Sequence, residues 1–214
     1  MSQPARRYVS QLRDEQARRT RQAIVNAARD LFLARGYAAT TIDAIAGAAQ
    51  VSRRTVFNAV GGKVALLKLA LDWAVAGDDE PVAVADRPAV KAIQAERDPA
   101  RALQLWADMV TDIAVRVAPI AAVLYAAADV DQEAADMLEA EAANRMFGAR
   151  AFASHLAALD GLAAGITEQR AADLCWAMND GHVFQLLAGQ RGWTTAEFSR
   201  WLSASLAAAL LRPA

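Results

Sequence analysis

The sequence predicts an all-α chain: a small basic head of three short helices followed by a larger helical bundle. Three observations carry this. Apolar residues recur at helical spacing on both sides of one irregular stretch, residues 77–99. No segment shows the β-branched alternation of a strand. Charge is also divided. Residues 1–70 hold 12 Lys/Arg against 4 Asp/Glu, and residues 71–214 hold 11 against 20, so a net charge of −1 conceals a +8 head and a −9 body. A basic segment on an acidic body is the footprint of a head that meets a polyanion.

The 214 residues leave room for one small and one larger domain. With 55% apolar and 22% charged residues, the chain should bury a core rather than stay disordered. The single cysteine, Cys175, forms no internal disulfide, which suits a reducing cytoplasm. The start, MSQPARRYVSQLRDEQARR, lacks the apolar core of a signal peptide. No run of about 18 uninterrupted apolar residues appears, so no membrane span is expected.

Residues 1–17 are polar and read as a flexible, frayed arm. From Arg18 to Arg35, Ile24, Ala28, Leu31 and Phe32 form one apolar face. Gly36 stands at the usual helix-terminating position, and Tyr37 is expected to pack back on the head. A second helix starts at Thr40 or Thr41, where Thr40 and Asp43 have capping-box spacing, and turns Ile42, Ile45 and Ala46 inward. A third starts after Ser52, a good N-cap residue, with Val56 and Val60 inward. Gly61 and Gly62 end it. A fourth runs from Lys63 to Val75 with Leu66, Leu67, Ala70, Leu71 and Trp73 as its stripe. Residues 77–99, with three prolines, read as a long connection with a short helix after Pro88. Helices are then expected at 100–117, 119–128, 132–159, 167–190 and 195–211, punctuated by Pro99, Pro119, Gly161, Gly165 and Gly192.

Two short helices around a tight turn, each apolar on one side, match the helix-turn-helix plan. The first, Thr41–Ala48, braces the second. The second presents its N-terminal turn to the major groove, where an arginine can grip guanine O6 and N7 with two donors. Ser52 orients that turn, whose positive dipole end suits phosphate. Arg53, Arg54, Thr55 and Asn58 are the candidates to read bases or hold phosphates.

The run from Arg18 to Trp73, about a quarter of the chain, resembles the DNA-binding head of the TetR (tetracycline-repressor-like) family of bacterial transcription regulators. The matching residues are Ala28, Leu31, Phe32, Gly36, Tyr37, Thr40, Thr41, Ile42, Ile45, Ala46, Val51, Ser52, Thr55, Lys63, Leu66 and Leu67. The tail WAMNDGHVFQLLAGQRGWTTAEFSRWL resembles the last two helices of some members. The resemblance implies phosphate contacts at Thr41, Phe57 and Lys63, with Thr40 and Ser52 beside them. Phe57 stands where a tyrosine is usual and has no hydroxyl to donate. Ala59 and Val60 stand where histidine and phenylalanine are common. Gln50 stands where a turn glycine is common, and a left-handed backbone there would cost on the order of 1 kcal/mol.

The resemblance further implies a head over residues 18–62 and a regulatory, dimerising body over residues 63–214. Dimerisation also follows from the weakness of one short recognition helix, which symmetric half-sites of a palindromic operator would double. Trp176, Val183, Phe184 and Leu187 lie on one stripe of the penultimate helix. Phe198, Trp201, Leu202, Leu206 and Leu210 lie on one stripe of the last, and Gly181 would permit close approach. These are the expected dimer contacts; the competing reading is intramolecular core. Trp73, Trp106, Met109, Ile113, Tyr125, Met146, Phe147 and Phe152 are expected to line a small-molecule pocket, against the competing reading of plain core. Glu141 and Arg145, spaced i,i+4, read as a surface ion pair.

His155 and His182 lie far apart in sequence and do not suggest a metal site. Cys175 reads as a small buried residue. Gly61-Gly62-Lys63 lacks the upstream glycine and following Ser/Thr of a phosphate loop. No catalytic motif and no cofactor are expected. The sequence therefore reads as a cytoplasmic, homodimeric regulator of double-stranded DNA, a repressor released by a small apolar or aromatic ligand. A non-specific architectural DNA-binding protein and a helical enzyme are the alternatives.

Overall fold

The computed structural model describes residues 4–212, with side chains from residue 13 onward. Helices α1 (Pro4–Ala39), α2 (Ile42–Ala48), α3 (Arg53–Ala59) and α4 (Lys63–Ala76) form the head and its exit. A 3-10 turn (Val84–Asp86) and α5 (Pro88–Ala95) fill the irregular stretch. The body follows as α6 (Pro99–Ala128), α7 (Gln132–Ala158), α8 (Glu168–Met178), α9 (Gly181–Phe184, running on as a π-helical turn to Gln190) and α10 (Thr195–Leu210). The one extended pairing among the described residues is a bridge between Leu162 and Leu211, which pins the end of α10.

The capping chemistry explains most boundaries. Thr41 accepts from the Ala44 amide at 3.1 Å, Ser52 from Thr55 at 3.0 Å and Asp131 from Glu133 at 3.0 Å. Thr194 and Glu197 form a reciprocal capping box at the start of α10. Gly36, at φ 79°, ends the regular part of α1 in a conformation that only glycine adopts without strain. Gln50 takes the turn between α2 and α3 at φ 56°. Gln50→Gly is therefore expected to stabilise the protein by up to about 1 kcal/mol, the left-handed strain relieved minus the glycine's extra unfolded-state entropy. The urea unfolding midpoint would report it, and a fall in midpoint would contradict it.

Several expectations are corrected. Residues 4–17 are not a frayed arm but the first turns of α1, supported by the Glu15–Arg19 pair at 3.0 Å; residues 1–3 lie outside the described residues. Thr41, not Thr40, caps α2. Pro119 does not divide a helix; it sits inside α6, which runs unbroken for 30 residues. Proline there removes one backbone bond and crowds Val115, but packing on both sides of Pro119 holds the helix. The expected helix over 167–190 breaks at Asn179, because Asp180 caps a new start by accepting from the His182 amide at 2.9 Å.

Two buried clusters meet at Pro119. The body core takes Leu103, Trp106 and Val110 of α6 with Phe152 and Leu156 of α7, Cys175 of α8, and Phe198, Leu202, Leu206 and Leu210 of α10. The head core takes Ile24, Ala28, Phe32, Tyr37, Ile45 and Val56 with Leu66, Leu67, Ala70 and Leu71 of α4. It is completed by Ile120, Val123, Leu124 and Ala127 from the far half of α6, and by Met137 of α7. Packing therefore runs through the Gly62–Lys63 junction without a break. By length and mean hydropathy, 1.6, α6 is apolar enough to cross a membrane, which an uninterrupted-run criterion misses; here that apolarity serves both cores.

Candidate DNA-contact surface and body cavity

The first turn of α3 projects from the head. Ser52, Arg53, Arg54, Phe57 and Asn58 are exposed, Thr55 is half-buried, and Val56 anchors the helix beneath them. Arg53 is not free. It donates to Asp43 Oδ2 of α2 at 3.0 Å and lies over the Phe57 ring at 5.7 Å. Arg54 has no ion pair among the described residues, and Asn58 has no side-chain hydrogen bond there. The Thr55 hydroxyl shares a hydrogen bond with Ser52 at 2.7 Å. Phe57, 46% exposed, offers an apolar face where a hydroxyl was usual.

Two of the expected contact residues are turned to other tasks. Thr40 is 1% exposed, and its hydroxyl donates inward to the carbonyls of Gly36 at 2.8 Å and Leu31 at 3.2 Å. It holds the end of α1 and cannot reach a phosphate. Lys63 donates to the Tyr37 carbonyl at 2.8 Å and lies over the Tyr37 ring at 3.9 Å. Burial lowers its pKa, opposed by the charge of Asp131.

Tyr37 extends this joint to the body. Its hydroxyl donates to Asp131 Oδ2 at 2.5 Å, the same carboxylate that caps α7. Burial, then the Asp131 bond, raises the Tyr37 pKa, so the phenol stays a donor. The Tyr37 bond first, with the two cap amides, lowers the pKa of Asp131. A depressed folded pKa contributes stability that is present above the unfolded value near 3.9 and is lost as pH falls through the folded value. Tyr37→Phe is thus expected to lower the unfolding midpoint at neutral pH, and the gap from wild type should close below about pH 4. A gap independent of pH would show that ring packing, not this bond, matters.

An open cavity of about 1890 Å³ lies between α4, α5, α6 and α7 and extends along the head to residues 13–21 of α1 and to Thr55, Asn58 and Ala59 of α3. Trp73, Trp106, Met109, Ile113, Tyr125, Phe147 and Phe152 all line it. Met146 does not. It neighbours Arg145, which points to the cavity, and so falls about 100° round α7 and packs on the body core instead. Phe147 is 76% exposed and stands on the open edge with Asn144, Gly148 and Ala151. Trp106 and Phe152 stack at 5.0 Å within 9° of parallel. His155, set aside in the sequence, also lines the cavity; its Nε2 is buried with no hydrogen-bond partner among the described residues.

Several charged residues around the cavity pair across helices. Glu141 and Arg145 do not bond each other. Glu141 receives Lys68 of α4 at 3.4 Å, and Arg145 donates to Asp180 at 2.6 Å and to the Asn179 carbonyl at 3.2 Å. Arg18 forks onto Asp79 at 2.7 and 2.8 Å, tying α1 to the loop that rims the cavity. These partners lie from 34 to 73 residues apart, and no local pattern announces them. Cys175 is fully buried, and burial pushes its thiol up to about 12, which leaves it inert.

The expected dimer stripe is corrected. Phe184, Phe198, Leu202, Leu206 and Leu210 point into the chain's own core. Trp176 donates its indole N–H to the Ala142 carbonyl at 3.0 Å, and Val183, Leu187 and Trp201 are half-buried against the same core. Among the exposed residues of α10 and its neighbour, Ala204 and Ala208 lie one turn apart beside Trp201, with Ala209, Arg200 and Leu186 also outward.

The head is matched, over residues 24–70, by the family model of bacterial regulatory proteins of the tetR family. No curated protein sequence matches the chain. Among solved structures, NalD of Pseudomonas aeruginosa, the secondary repressor of the MexAB-OprM multidrug efflux pump, is 21% identical over 94% of this chain and 100% of its own, with a TM-score of 0.68. SmeT, solved as a complex with triclosan, is 15% identical over 90% of this chain and 92% of its own, with a TM-score of 0.70. A transcriptional regulator from Saccharomonospora viridis, solved with choline, is 16% identical over 90% of this chain and 98% of its own, with a TM-score of 0.65. These likenesses show a shared fold, and over residues 24–70 the helix-turn-helix head matches the model of the tetR family of bacterial regulatory proteins.

Proposed function

We propose that the protein is a homodimeric, cytoplasmic repressor that binds a palindromic operator through α3 and leaves it when a small apolar or aromatic molecule enters the body cavity. One observation carries this reading: α4 has two faces with two employers. Leu66, Leu67 and Ala70 belong to the head core alone, Asp72, Val75 and Ala76 line the cavity, and Leu69, Leu71 and Trp73 touch both. A ligand that shifts α4 therefore moves the head. Residues 18–62 act as the DNA-binding head and residues 63–214 as the regulatory and dimerisation body. Two heads must match half-sites about one helical turn apart, so a displacement of a few ångströms weakens the complex. A ligand releases the operator only to the extent that it binds the displaced arrangement better.

Arg54, Asn58 and Ser52 are the residues assigned to DNA, with Thr41, Thr55, Arg53 and Phe57 at the margin of the contact. Lys63 serves phosphate only if it leaves the Tyr37 carbonyl. The dimer forms through the outward face of Ala204, Ala208, Trp201 and Leu186. Support for a ligand comes from the aromatic lining and from regulators of similar fold that hold triclosan or choline. Selection of bound sequences from a random duplex pool tests the reading. A recovered palindrome supports specificity and two-fold symmetry together. Equal retention of all duplexes at fixed salt would instead make the protein an architectural binder.

A further inference from the structure

We infer that the cavity takes a monovalent aromatic organic cation, with Glu141 as its counter-charge and Lys68 as the group it displaces. This rests on the ligand-release reading above and adds the ligand's charge and the contact it breaks. Glu141 stands on the α7 wall with its side chain 19% exposed. Lys68 Nζ approaches it at 3.4 Å, but the same ammonium lies 2.7 Å from Asp72, one turn further along α4. Asp72 also lines the cavity. One cation thus serves two carboxylates, and it sits nearer the other one.

The next cation on that wall is fully committed. Arg145 is bonded to Asp180 and the Asn179 carbonyl, and lies over the Trp176 ring at 5.5 Å. Of the charged residues that line the cavity, Asp72, Asp78, Asp79, Glu80 and Glu141 stand against Arg13, Arg18, Arg21 and Arg145, a balance of −1. Three of these cations, Arg13, Arg18 and Arg21, stand on α1, outside the α4–α7 wall, and Arg18 is held by Asp79. An anion entering between α4 and α7 would meet excess carboxylate. A cation would meet one under-served carboxylate and the ring of Trp73, whose face attracts positive charge; the Tyr125 ring is stacked on His182 at 4.1 Å.

The displaced contact explains how such a ligand would be felt. Lys68 to Glu141 joins α4, the exit of the head, to α7, and these two helices touch over only a short stretch. A cation at Glu141 leaves Lys68 with Asp72, its partner on the same helix, and frees α4 from α7. The Tyr37–Asp131 bond at the start of α7 remains as the pivot.

Two acridines of opposite charge provide the test, titrated calorimetrically into the full chain at neutral pH without DNA. The cationic 9-aminoacridine is expected to bind at least about tenfold more tightly than the anionic acridine-9-carboxylate. Glu141→Gln should abolish that preference. Lys68→Gln should do the opposite and tighten cation binding, because it leaves Glu141 unserved; a merely structural role for the pair would shift both variants the same way. Equal binding of the two acridines, or both variants shifting together, would overturn the charge assignment while leaving a ligand cavity. If neither these nor neutral acridine binds, the ligand-release reading fails with it, whereas recovery of a palindrome would still stand for the head.

Discussion

Leu206→Glu is expected to unfold the body, and Ala204→Glu is expected to leave it folded but monomeric. The two residues lie two positions apart on α10 and face opposite ways. Leu206 is 0% exposed among Leu202, Leu210, Phe198 and residues of α6. A glutamate there loses the leucine's burial and places an unpartnered carboxylate in an apolar core, at a cost of about 4 kcal/mol or more. That is a large share of the roughly 5–15 kcal/mol by which domains of this kind are stable. Ala204 is exposed in the single chain, so a charge there costs the protomer little. In a symmetric dimer the substitution meets its own copy, two carboxylates face each other, and association is lost. Sedimentation at micromolar concentration with circular dichroism separates the cases. An Ala204→Glu protein that remains dimeric would place the interface elsewhere, and a wild-type monomer would remove it.

Arg54→Ala is expected to weaken specific operator binding by about 1–3 kcal/mol, on the order of ten- to hundredfold, and to relax specificity at one base position. Arg53→Ala should do less. Its guanidinium is already paired with Asp43 and rests over Phe57, and it must give up that pair to reach DNA. The pair is exposed and worth little by itself, so Arg53 serves better to hold α3 against α2 than to read a base. Arg54→Lys should not restore binding, since a single ammonium cannot form the two-donor grip on guanine. Lys63→Ala, by contrast, should weaken all duplexes alike, and a fall of about one unit in the salt slope would show that Lys63 leaves the Tyr37 carbonyl for a phosphate. Gel-shift titrations on operator and scrambled duplexes at several salt concentrations would distinguish these. Full affinity in the Arg54 variant would displace α3 from its assigned role.

The comparison of Arg53 with Arg54 shows where local information stops. Both arginines follow the same cap and look equivalent along the chain. The cap itself is legible: Ser52 before an apolar i,i+4 pair can do little else, and Thr55 bonds to it as the spacing requires. Gly36 is legible for the same reason, because a glycine's backbone conformation is a property of one residue and its neighbours, whereas the left-handed turn at Gln50 is legible only through the resemblance. The partner of Arg53 is not, since Asp43 reaches it only after the turn has set the angle between α2 and α3.

The body makes the same point on a larger scale. Helical periodicity identified the stripe of α10 correctly as apolar, but a stripe does not say what covers it. Phe198, Leu202, Leu206 and Leu210 were equally suited to a partner or to their own chain, and the crossing of α10 over α6 and α8 gave them to the core. Glu141 and Arg145 have the spacing of a bonded pair, yet each finds a better-placed partner on another helix, Lys68 and Asp180. Pro119 has the signature of a break, yet two cores clamp the helix on either side of it. Composition and periodicity settle what each segment must bury, because those are short-range properties of the chain. Which surface does the burying, and which charge answers which, depends on helix crossings that bring together residues dozens of positions apart.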